Sequence, residues 1–233
     1  MDVNIYLFTN TDENIFRKNR GILKMGEELK IEIGKILDDS LENNPGNANI
    51  MANFLSDLFI QYKKIYGKEY GCSPIKIHKM LLILQIYYTL KYGKNTILDG
   101  LDKIEIYNCG LKLHQIYLPE NITSSLSFTD KPIDIDENTF EKLQNIKRSN
   151  NLNSFNSLTP QQKKVCIILF SVYADYNPYK LGQILDKFKD DSVETGNIIE
   201  IDDFVNLIFK AKENNKIDKS IVEFANRVER FNN

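Results

Sequence analysis

Apolar residues recur along this chain mostly at helical spacing, and one stretch is apolar almost all the way round. Residues 73–93 read SPIKIHKMLLILQIYYTLKYG. Ser73 can accept a hydrogen bond from the unpaired N–H groups of a first helical turn, and Pro74 suits the first helical position because its φ is preset and its missing N–H is not needed there. Ile75, Ile77, Met80 to Leu84, Ile86 to Tyr88 and Leu90 leave only a narrow polar stripe of Lys76, His78, Lys79, Gln85 and Thr89. Such a helix has to be buried on nearly every side, so other elements must pack around it. Gly93 and Asn95 then close it, Gly tolerating the left-handed backbone of a helix end.

The flanking patterns supply the packing partners. Val3 to Phe8 has the β-branched and aromatic content of a short strand. From about Gly26, Leu29, Ile33, Ile36, Leu37 and Leu41 recur at helical spacing until the loop at Asn43 to Asn47. Residues 1–46 are thus predicted to be an N-terminal extension of strand plus amphipathic helix. A helix follows over 48–66, its face made by Ile50, Met51, Phe54, Leu55, Leu58, Phe59 and Tyr62. The alternation at Ile104 to Tyr107 suits a half-exposed strand, which could pair with Val3 to Phe8.

Residues 121–136 lack periodicity and read as loop, a short helix fits 136–146, and 147–156 is polar linker. The stretch near 121–157 could thus join two subdomains within a main domain of 47–233. Beyond it, Thr159-Pro160-Gln161-Gln162 is a capping box, Asn177-Pro178 starts a second helix, and Asp202 and Asp218 are read as the caps of two more. The expected architecture is mainly α, a helical bundle around a buried central helix with a small β element of two or three short strands.

Composition changes this picture little. Thirty basic against thirty-two acidic residues give a net charge of −2, so no global field draws the chain to nucleic acid or an anionic membrane. No apolar run reaches the ~20 residues that span a bilayer, and the N-terminus lacks a basic leader with a long apolar region, so a cytoplasmic location is expected. Three widely spaced cysteines, Cys72, Cys109 and Cys166, are read as reduced thiols rather than a disulfide framework.

Candidate chemistry is sparse. Cys72, His78, Cys109 and His114 are of zinc-binding types, but their spacing is longer than the short pairs of structural zinc sites, and no metal is expected. Residues 191–202 imitate a calcium loop with Val193 and Thr195 where oxygen ligands should stand, so a plain turn into a helix is the better reading. No nucleophile elbow, phosphate-binding glycine loop or HExxH helix is present, and neither an enzyme nor a cofactor is expected. Lys63, Lys64, Lys68, Lys76, Lys79, Lys91 and Lys94, interleaved with Tyr62, Tyr66 and Tyr92, would serve a nucleic-acid binder; they equally fit solvated helix faces whose lysine stems cover apolar surface.

The segments MANFLSDLF and SPIKIHKMLLILQIYYTLKYGKNTILDGLDKIEIYNCGLKLHQIY resemble the Panacea family of SocA-like antitoxins and phage-associated proteins. Ser73, Pro74, Lys76, Lys79, Leu81 and Gln85 stand where that family has its Ser-Pro-x-Lys-Leu-Gln-Lys-Leu-Leu-Tyr helix. The likeness extends over roughly residues 48–209. It departs where Tyr107 to Leu111 replaces Tyr-Gly-Pro-Val, and near Leu185-Asp186, where Thr-His followed by Pro-Trp is missing. The resemblance implies a small cytoplasmic protein of mobile elements that binds and neutralises a protein partner, a toxin or a nuclease. A phage-encoded inhibitor of a host defence nuclease, anti-CRISPR-like, and a nucleic-acid-binding module are the alternatives. Occlusion is the expected mechanism, through a surface formed by Lys76, His78 and Lys79 of the central helix with Tyr107, His114 and Tyr117. Of these, Lys76, Lys79 and His114 are expected at the surface.

Overall fold

In the computed structural model, the residues described are 41, 46–93, 103–107, 110–113, 116, 128–146, 158–189 and 194–232. The elements are α1 (Ala48–Tyr66), α2 (Pro74–Tyr92), β1 (Lys103–Tyr107), β2 (Gly110–Leu113), α3 (Glu137–Gln144), α4 (Pro160–Tyr173), α5 (Pro178–Leu185) with a 3-10 turn at Asp186–Phe188, β3 (Ile198–Glu200), α6 (Ile201–Glu213) and α7 (Lys219–Asn232). The fold is mainly helical with a small antiparallel sheet, as the pattern predicts. The expected strand at Val3 to Phe8 lies outside the described residues, as does the first helix apart from Leu41, which is helical and buried.

Local signals place most helix starts. Asn47 Oδ1 accepts from the N–H groups of Asn49 and Ile50 at 3.0 and 3.2 Å, and Ser73 Oγ accepts from Lys76 N–H at 3.3 Å. Gln162 N–H donates to Thr159 Oγ1 at 3.2 Å while Thr159 N–H donates to Gln162 Oε1 at 2.8 Å, the reciprocal pair of a capping box. Asp218 Oδ1 accepts from Ser220 N–H at 2.9 Å at the head of α7.

One cap is corrected. Helix α6 starts at Ile201 with Glu200 as its capping residue, so Asp202 lies in the first turn, where with Asp203 it faces the positive end of the helix dipole. The cap is displaced because Ile198–Glu200, read from sequence as part of a turn, forms β3. The sheet order is β2-β1-β3, both pairings antiparallel, with Ile104 opposite Leu113 on one side and Ile199 on the other.

Helix α2 sits at the centre, touched by α1, α4, α5, α6, α7 and β2. Every residue from Lys76 to Thr89 is buried, the five of the polar stripe included. One buried cluster draws side chains from both sides of the 121–157 region. Gly110 takes φ +101° at the start of β2, and a Cβ there would stand 3.4 Å from Gly182 Cα, so strand and helix α5 meet backbone to backbone.

Candidate functional site

The polar stripe of α2 is built into the interior. Lys76 and Lys79, three residues apart on one helix face, are both 0% exposed. The expectation that they form a surface is therefore corrected. The reason lies far along the chain, at the corner between α4 and α5. Lys76 Nζ donates to the carbonyl of Ala174, the capping residue at the end of α4, and to that of Gly71 at 2.9 Å. Lys79 Nζ donates to the carbonyl of Pro178, the first residue of α5, at 2.8 Å. Cations are favoured at the carbonyl end of a helix, so Lys76 suits its place against α4.

Aromatic rings and carboxylates complete the cage. Lys76 Nζ lies 5.2 Å from the ring centre of Phe59 and 5.1 Å from that of Phe128, both within cation–π range. Residues 128–133 run along the end of α4. Thr129 Oγ1 donates to Asp175 Oδ2 at 2.5 Å, and Asp130 N–H donates to the Asp175 carbonyl at 3.2 Å. Asp130 Oδ1 accepts from Asn177 N–H at 2.8 Å, and Ile133 N–H donates to the Ser171 carbonyl at 2.6 Å. Burial pushes Lys76 down to about 8, opposed by the neighbouring Cys72, Asp175 and Asp130. Burial likewise pushes the Cys72 thiol up to about 12, opposed by the Lys76 ammonium. A thiol held that high is a poor nucleophile at neutral pH.

His78 points elsewhere, towards β2. It is buried, and burial pushes it down to about 4; the nearby Lys112 ammonium adds to the shift, and a hydrogen bond with the Leu113 backbone opposes it. Its Nδ1 has no hydrogen-bond partner among the described residues. Gln85 Nε2 donates to Thr89 Oγ1 at 2.9 Å, so these two polar side chains pair within the helix.

The other candidates do not join this group. Tyr107 closes β1 opposite Gly110, while His114 and Tyr117 lie outside the described residues, as do Cys109 and Lys94. Among the described residues no three His, Cys, Asp or Glu side chains come together as metal ligands, and no helix is long and apolar enough to cross a membrane.

The aromatic and carboxylate partners of Lys76 carried no signal in sequence, because its bond to Ala174 spans 98 residues and that of Lys79 to Pro178 spans 99. A second feature was half visible. Residues 63–69 at the end of α1, KKIYGKE, are all exposed, and they hold Lys63, Lys64, Tyr66 and Lys68 of the interleaved cations and tyrosines that the sequence pattern marks. Ile60 and Ile65 fall off the apolar stripe of α1 and remain 40% and 41% exposed. Comparison of the chain with known protein families, with curated proteins and with solved structures finds no match.

Proposed function

We propose that the chain is a protein-binding inhibitor of the antitoxin kind, neutralising a protein partner by direct binding. The observation that supports this reading is the pair of exposed tyrosines on well-capped helices, Tyr66 at the end of α1 and Tyr179 at the start of α5, 39% and 70% exposed. Tyrosine held on a rigid element is a frequent anchor of protein interfaces. Lys76 and Lys79 of α2 take no part, since both are occupied inside; the same burial removes two of the seven cations that a nucleic-acid module would use.

The test is co-expression with the product of the gene beside its own. The expected result is a stable complex of the two proteins and release of a host from the growth arrest that the neighbour alone causes. Neither complex nor rescue, with oligonucleotide affinity falling steeply as salt is raised, would turn the reading towards nucleic acid.

A further inference from the structure

We propose that the contact surface of this inhibitor is the exposed end of α1, residues 63–69, and that its partner is a protein surface combining carboxylates with apolar side chains; the proposal rests on the inhibitor reading. Seven consecutive exposed residues mark the place where α1 runs out of core. Gly67 ends the helix at φ +66°, and a Cβ at that position would meet nothing within 4 Å, so the glycine faces open space.

Two features set this end apart from the other exposed apolar side chains. Tyr66 is held in place before any partner arrives: its hydroxyl donates to Thr139 Oγ1 at 2.7 Å and its ring packs on Tyr62 with centres 4.8 Å apart. A side chain already fixed loses little conformational entropy on binding. Tyr179, by contrast, has no side-chain hydrogen bond or ring contact among the described residues; Phe231 is stacked on Phe140 at 5.1 Å but has no hydrogen-bonding group to fix it further. The second feature is charge. Residues 63–69 hold three lysines and one acidic residue, Glu69, which pairs with Lys63 at 2.6 Å, while the Lys68 ammonium lies over the Tyr70 ring at 4.8 Å and feels the Asp175 carboxylate. Lys64 has no ion pair among the described residues. A local cationic excess in a chain of net charge −2 selects an acidic counterpart, and Ile65 beside a fixed ring adds an apolar centre to a charged rim.

The test is an amide chemical-shift titration of the isotope-labelled full chain. The probes are a synthetic peptide alternating Glu and Leu, its Ser and Leu counterpart, and a single-stranded oligonucleotide. The acidic peptide is expected to move the signals of 63–69, and Tyr66→Ala to weaken it about tenfold. The double variant Lys64→Glu with Lys68→Glu is expected to weaken it by a similar factor; because the Lys68 ammonium also lies over the Tyr70 ring at 4.8 Å, the single variant Lys64→Glu is the one expected to weaken binding with an unchanged thermal midpoint. Shifts that avoid 63–69, equal binding of the Ser and Leu peptide, or binding of the oligonucleotide alone overturns the proposal. The same double variant in the co-expression experiment separates the two readings. A complex that survives it unchanged moves the surface and keeps the inhibitor, whereas no complex with the unaltered chain removes the inhibitor whatever the peptide does.

Discussion

Lys76 and Lys79 near the start of α2 and Lys63, Lys64 and Lys68 at the end of α1 are separated by one short turn, yet they meet opposite surroundings. The first two give every exposed atom up to the interior and are held by carbonyls at the α4–α5 corner; the other three lie in an exposed stretch. The same residue type thus takes its surroundings from its partners and not from its place in the sequence pattern. A lysine stem packs as an apolar chain, and where the ammonium ends depends on whether a carbonyl or water waits there.

Charge reversal breaks the symmetry of the two sets most strongly. Lys76→Glu would place a carboxylate against two carbonyls beside Asp175 and Asp130. It is expected to cost roughly 4 kcal/mol or more in urea unfolding, enough to unfold a marginal domain. Next in size is a pH effect with a defined sign. Lys76 is held down to about 8 in the folded chain from its ordinary 10.5, so between those values the unfolded chain binds the extra proton and stability rises with pH. The stability of the parent relative to Lys76→Met is expected to increase by about 3 kcal/mol over that window. A parallel trend in both proteins would contradict the buried ammonium.

The buried histidine gives the acid-side counterpart. Its folded value is about 4 against an ordinary 6.5, so the unfolded chain again binds the extra proton, now between those values, and stability is lost as pH falls from 6.5 towards 4. His78→Gln is expected to remove up to about 3 kcal/mol of that loss, read from unfolding curves across the window. Smaller still is Ser73→Ala, which deletes the cap that starts the helix carrying Lys76. About 1 kcal/mol is expected, measured by thermal unfolding. Lys64→Glu closes the series: a change within roughly 0.5 kcal/mol, against the several of Lys76→Glu, would sharpen the contrast to a single residue type in two places.

Much of this architecture is written locally. Ser73-Pro74, the Thr159 to Gln162 box, Asn177-Pro178 and Asp218 each start the helix their chemistry announces, and Gly67 and Gly93 end theirs. Ile198–Glu200 was not legible as a strand because three residues hold too little alternation, and its partner, Lys103–Glu105, lies more than ninety positions earlier. The missing strand also misplaced the cap of α6. At the candidate site, periodicity identified Lys76, His78 and Lys79 as the polar stripe, but a stripe of five polar residues does not state whether it faces water or backbone. That was decided by Ala174 and Pro178, nearly a hundred residues away.

The central position of α2 also orders events in time. It is synthesised well before α4, α5, α6 and α7, the helices that enclose it, and domains are made from the amino end at about 5–20 residues per second. For several seconds on the ribosome the most apolar of the described helices is complete while most of its cover is still untranslated. The hairpin of β1 and β2 can form in that interval, but the third strand cannot. A nascent chain of this design therefore passes through a sticky stage, and chaperone supply should limit its yield more than its final stability does.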